Sequence, residues 1–159
     1  MKRGSTIILK GAIVIIGLVV VALCGLIIYT LMSEGLPAPQ YRYTLLSIIT
    51  CIFASTIPFY IALFQAMKLL SYIDRGTAFS ELSVHALKKI KYCAIAICII
   101  YVISEPSIFL LADMDDAPGL VLFGMIPVFA SFVIAVFAAL LERLLRDAIE
   151  IKSENDLTV

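Results

Sequence analysis

The stretch "GLVLFGMIPVFASFVIAVFAALL", residues 119–141, contains no charged side chain. A helix needs about 20 predominantly apolar residues to cross about 30 Å of hydrocarbon, at about 1.5 Å per residue. This run is long enough. It passes directly into "ERLLRDAIEIKSENDLTV", residues 142–159, where charged and polar residues dominate until Leu157 and Val159. One reading reconciles the two halves: a single helix that leaves the membrane and continues in water. Leu141, Leu144, Ala148 and Ile151 recur at helical spacing on one face of the extension. Glu142 and Arg146, Arg143 and Asp147, and Arg146 and Glu150 stand where opposite charges on a helix attract. Asn155 and Asp156 are expected to end it.

Three further apolar runs precede this one, at about residues 7–31, 44–67 and 92–112. The first is too long for the apolar core of a signal peptide, about 7–15 residues, and reads as an uncleaved span. The whole chain is 62% hydrophobic and 15% charged, with a mean hydropathy of +1.08. Soluble domains carry about 25% charge, so the composition excludes an ordinary soluble protein. The expected fold is all-α: one membrane domain over residues 1–159, a four-helix transmembrane bundle with helical extensions into the cytoplasm. Net charge is zero, and nothing in the balance points to direct binding of nucleic acid. The expected surroundings are the lipid bilayer itself.

Lysine and arginine set the expected orientation. Every one of them except Arg42 lies before or early in span one, between spans two and three, or after span four. The positive-inside rule then places both termini and the 68–91 connection in the cytoplasm of a bacterial cell, with the protein in its plasma membrane. Glu34, Asp113, Asp115 and Asp116 make the other side acidic. The outer segment 32–43, with Gly35, Pro37 and Pro39, reads as an irregular loop. The short "DMDDAPG" forces spans three and four into a tight hairpin, with Pro118 fitting the first turn of span four. On the inner side, Gly76 is a left-handed helix terminator and Ser80 a helix N-cap with Glu81 in the first turn. Leu82, Ala86 and Ile90 share one face of the following helix. Lys88, Lys89 and Lys91 suit anionic headgroups, at about 1 kcal/mol each near the surface.

Glu105 is the acidic residue inside a span, where an ionised side chain costs about 2.5–3.5 kcal/mol on insertion scales. Pro106 disfavours helix at the residue before it, so a break is expected there, with Glu105 at the head of a last short turn. An ion or proton site is the functional alternative. Pro58 and Pro127 each free one carbonyl, and Thr50, Ser55, Thr56 and Ser131 are placed to fill in. Cys24, Cys51, Cys93 and Cys98 lie inside spans without metal-ligand spacing and read as small packing residues, with a Cys24–Cys51 disulfide left open. Asp113, Asp115 and Asp116 read as solvated loop residues and His85 as a surface residue. No phosphate-binding loop, nucleophile elbow or zinc-protease motif occurs, and no catalytic set, metal site or cofactor is expected.

Three segments, "YIDRGTAFSELSVHALKKIKY", "LADMDDAPGLVLFG" and "LLRDAIEIKSENDLTV", resemble the bacterial membrane family known as domain of unknown function 2975. The resemblance covers about residues 45–159 and is most specific in the 73–80 turn and the last six residues. It implies four transmembrane helices, no assigned activity, and a small helix-turn-helix regulator encoded nearby. A cytosolic regulator needs a docking surface. The candidates are Asp74, Arg75, Gly76 and Phe79 in the turn, and Glu154, Asp156, Leu157 and Val159 in the tail. The tail has two destinations, the chain's own 80–90 helix or the partner. The expected function is therefore a non-enzymatic membrane protein that sequesters or senses for such a regulator. The alternative is a small transporter or channel component using Glu105 and the proline-kinked spans. A homo-oligomer is a further option, although Gly11, Gly17 and Gly25 form no strict small-x-x-x-small stripe.

Overall fold

The computed structural model describes residues 3–157; Lys2, Thr158 and the candidate residue Val159 lie outside the described residues. Four helices follow one another: α1 (Arg3–Glu34), α2 (Pro39–Asp74), α3 (Glu81–Met114) and α4 (Gly119–Leu157). Each is long and apolar enough to cross a membrane. At about 1.5 Å per residue the shortest spans about 48 Å, so every helix outruns about 30 Å of hydrocarbon. The all-α transmembrane fold expected from the sequence is the observed one. Both described chain ends and the 75–80 turn share one end of the molecule, called here the lysine-rich end. The 35–38 and 115–118 turns share the acidic end.

The helices are arranged as a curved row. Neighbours in sequence pack together, and α3 with α4 form the closest pair. No described Cα of α1 comes within 8 Å of α3 or α4, and none of α2 within 8 Å of α4. The residues at the contacts are small. Ala94 and Ala112 of α3, and Ala135 and Ala138 of α4, are buried, together with Ser104 and Ser131. The large side chains, such as Phe123, Phe129 and Phe132, point outward. Lipid tails are as apolar as leucine, so burying leucine between helices gains little. Close backbone approach and polar contacts hold membrane helices together instead.

Turn chemistry follows the sequence closely. Gly76 has φ +72°, Gly76 N–H donates to Ile73 O at 3.1 Å and Thr77 N–H to Tyr72 O at 2.9 Å. This is the paired closure of a left-handed helix C-terminus. Asp116 takes the same role after α3, with φ 50° and Ala117 N–H donating to Ala112 O at 2.8 Å. Ser80 stands at the N-cap of α3 in extended conformation, but its hydroxyl donates to Thr77 O at 2.8 Å rather than capping the helix.

Several expectations are corrected. The irregular outer loop is only residues 35–38, because α1 runs to Glu34 and α2 starts with Pro39 in its first turn. The break at Glu105 is absent: α3 continues through Pro106 to Met114. Unwinding inside hydrocarbon would strand several backbone groups with no water to satisfy them, whereas a proline in place strands one carbonyl. The inward face of early α3 is Ser83, Val84, Ala86 and Leu87, and Leu82 is exposed. In α4 the inward face is Ala138 and Glu142, continued by half-buried Leu145 and Ile149, whereas Leu141, Leu144 and Ile151 are exposed. The helix passes through Asn155 and Asp156 to Leu157, and residues 151–157 are all exposed, so the described part of the tail does not fold back. All four cysteines are free, which removes the Cys24–Cys51 disulfide.

Gly124 marks the tightest approach. A Cβ there would lie 2.7 Å from Glu105 Oε1 and 2.8 Å from Ile108 Cδ1. Gly124→Ala is expected to destabilise the α3–α4 hairpin by about 1–3 kcal/mol, the usual cost of overpacking. Thermal unfolding in detergent micelles should show a lower midpoint for it. Gly25→Ala, which meets nothing within 4 Å, should be neutral or stabilising, because alanine favours helix over glycine by about 1 kcal/mol.

Candidate functional site

Two regions concentrate the polar groups of this chain. The first is the lysine-rich end. Lys91 of α3 donates to Glu142 Oε2 of α4 at 2.6 Å, and the other oxygen of Glu142 meets Arg146 at 3.5 Å. Their side chains retain only 22% and 11% exposure for Lys91 and Glu142. A pair this well covered is held by geometry as well as charge, and leaving either partner alone is costly. On the other side of the row, Lys10 of α1 pairs with Asp74 at the end of α2. Of the three helix pairs expected along α4, only Glu142–Arg146 closes among the described residues.

The Lys91–Glu142 contact fixes the axial register of α3 and α4. From that level α3 runs back about 15 Å to Glu81, and α4 runs on about 22 Å to Leu157, at about 1.5 Å per residue. The end of α4 therefore reaches the level of the 75–80 turn. The candidate partner-binding residues divide accordingly. Asp74 is engaged by Lys10, which makes it a tie between helices. Arg75 closes α2 through its backbone and is exposed, as is Gly76. Phe79 keeps 60% of its surface exposed and Leu157 keeps 84%. Glu154 and Asp156 lie on the exposed end of α4, and Val159 is outside the described residues. His85 is exposed on α3.

The second region lies within the spans. A cavity of about 300 Å³ is lined by all four helices, with Cys24, Ser55, Thr56, Tyr101 and Ser131 as its polar members. Ser55 Oγ donates to Ile52 O at 2.8 Å and lies 3.3 Å from the Tyr101 hydroxyl. Thr56 donates to Ile52 O at 2.9 Å and Ser131 to Pro127 O at 2.6 Å. These bonds land beside the carbonyls that Pro58 and Pro127 leave free, those of Ala54 and Phe123, rather than on them. No carboxylate, lysine, arginine or histidine lines the cavity. Its size and its few hydroxyls suit an uncharged apolar molecule better than an ion.

Glu105 is not part of that lining. Its Oε1 is buried against Gly124 with no hydrogen-bond partner. Nearer the acidic end, Arg42 Nε is also buried without a partner. Among the described residues no three of His, Cys, Asp and Glu converge to hold a metal ion, and Asp113, Asp115 and Asp116 are exposed in and beside their turn.

The Lys91–Glu142 pair went unread in the sequence, where Lys91 was assigned to headgroups and Glu142 to Arg146. A signal was present: Lys91 immediately precedes span three and Glu142 immediately follows span four. In a tight antiparallel hairpin those positions share a depth.

Four long apolar helices around small-residue contacts define a multi-pass membrane protein. The family model described as "Protein of unknown function (DUF2975)" matches residues 36–159, and the chain belongs to that family. It is also 51% identical over 160 residues to the "Uncharacterized membrane protein YoaS" of Bacillus subtilis (strain 168), covering the full length of both chains. No solved structure matches.

Glu142→Ala is expected to cost about 1–3 kcal/mol, below the about 3–5 kcal/mol of a fully buried pair because both groups keep some water contact. Arg146→Ala should cost less. The double variant Lys91→Ala with Glu142→Ala should be more stable than the sum of the two single losses. Thermal unfolding in detergent checks this; additive losses would show that the pair contributes nothing.

Proposed function

We propose that this chain is a non-enzymatic membrane protein that binds a cytosolic partner protein at its lysine-rich end. The observation that carries the reading is the exposure of Phe79 and Leu157 at one level, beyond the apolar spans. Both are presented by firm elements, a closed helix-terminal turn and the end of a continuous helix. Exposed apolar groups on rigid supports, rimmed by Arg75, Glu154 and Asp156, are what a protein partner can use. The distribution of lysine and arginine favours the cytosol for this end, and hence the plasma membrane with both termini inside. The partner favoured by the family resemblance is a small helix-turn-helix regulator, which would be sequestered at the membrane or released from it.

A second reading rests on Glu105, whose unpartnered oxygen inside a span is a feature of ion and proton pathways. It is weaker, because the cavity shared by all four helices is apolar and does not include Glu105.

Two measurements separate these readings. The full-length protein in detergent should retain a helix-turn-helix regulator of the kind the family resemblance implies on an affinity column. Phe79→Ser, Arg75→Ala and removal of residues 154–159 should each weaken retention by about tenfold or more if they remove central contacts. Equal retention by all three would exclude this surface. In proteoliposomes, a proton or cation flux lost in Glu105→Gln would favour the second reading, and a parent protein without flux would remove it.

A further inference from the structure

We propose that the outward face of α4 is a self-association surface through which two copies of this chain pair as a parallel coiled coil. Among the described residues α4 comes within 8 Å, Cα to Cα, of α3 alone, and it buries Ala135, Ala138 and Glu142. About a third of a turn away, at about 100° per residue, Phe137, Leu141, Leu144, Ala148 and Ile151 form a second stripe. All but half-buried Ala148 are exposed, Leu144 at 56% and Ile151 at 67%. The stripe alternates steps of four and three residues over two heptads. That is the pattern of a coiled-coil seam, with Leu141 and Ala148 at a positions and Phe137, Leu144 and Ile151 at d positions.

The upper part of this seam lies in the membrane, where lipid can cover it. The lower part does not. Leu144 and Ile151 lie past the Lys91–Glu142 level, among Arg143, Arg146, Asp147 and Lys152. Exposed apolar residues repeating at heptad spacing in that setting call for a protein neighbour. No described Cα of α1 comes within 8 Å of α4, so α1 does not supply it.

A second copy fits for two reasons. Copies inserted in one membrane share one orientation, so their α4 helices meet parallel, as this seam requires. The charges flanking the seam are also complementary in that register. Asp147 occupies a g position and faces the e position five residues on in the other helix, which is Lys152. Two-fold symmetry makes the contact twice. Among the described residues neither Asp147 nor Lys152 is held by an ion pair. Asn155 falls on the next a position, the place where one polar residue selects a register in parallel dimers.

The test uses the full chain. With Cys24, Cys51, Cys93 and Cys98 changed to alanine, Leu144→Cys and Ile151→Cys are oxidised in native membranes. Both are expected to give disulfide-linked dimers on a denaturing gel, and Ser153→Cys, on the far side of the helix, roughly tenfold less. Independently, the unmodified protein in mild detergent should have the mass of a dimer by light scattering. Asp147→Lys and Lys152→Asp should each shift it to monomer, and the double exchange should restore the dimer. A monomeric parent, crosslinking at Ser153→Cys equal to that at Leu144→Cys, adducts of Leu144→Cys only with other proteins, or no restoration by the double exchange would overturn the proposal.

Discussion

Hydrocarbon cannot hydrogen-bond, and the rest of the structure depends on that constraint. Each backbone amide inside the spans must find its partner in its own helix. This keeps α2, α3 and α4 continuous through Pro58, Pro106 and Pro127, where an aqueous segment would break. The same constraint turns serine and threonine hydroxyls back onto carbonyls of their own helix, as Thr50 does to Leu46 O at 2.7 Å. What remains to hold the helices to one another is shape and a few polar contacts. Hence alanine, serine and glycine line the interfaces and phenylalanine faces the lipid.

This reversal explains how much of the molecule was legible in its sequence. The four spans, the hairpin between α3 and α4, the left-handed turn at Gly76 and the start of α3 after Ser80 could all be read, because length, charge and turn chemistry act locally. The inward faces could not. In water the most apolar stripe of a helix is buried, and that rule selects Leu82–Ala86–Ile90 and Leu141–Leu144–Ile151. The structure buries Ser83, Val84, Ala86 and Leu87 in one case, Ala138 and Glu142 in the other. Small size and charge pairing decide contact between membrane helices, and the largest side chains are left over for lipid or for another protein. The rule fails further out on the same helices because their register is inherited from the span, not chosen in water.

Reading the candidate site met the same limit. The exposure of Phe79 and Leu157 could be read, since a turn and a helix end past the spans are exposed for local reasons. The engagement of Asp74 by Lys10 was beyond reach, because it depends on how α1 lies beside α2. The cavity was out of reach for a different reason. Its lining comes from all four helices, and no pattern within one helix announces a void between them.

The attachments are unevenly spread along the row. α3 and α4 are pinned near both ends, by Lys91–Glu142 at the lysine-rich side and by the close approach of Gly124 to Glu105 toward the acidic side. α2 joins them through Ser47–Ser107 at 3.1 Å and Ser55–Tyr101. Among the described residues α1 comes within 8 Å, Cα to Cα, of α2 alone, and it is joined there by Tyr60 donating to Gly17 O at 2.6 Å, Cys24 near Thr56 at 3.8 Å, and the Lys10–Asp74 pair. The cavity therefore has three walls tied to one another and a fourth tied to a single neighbour. The ion pair that joins α1 to α2 sits beside the 75–80 turn, where Phe79 is displayed. One helix, α1, thus borders both the apolar cavity and the polar lysine-rich end.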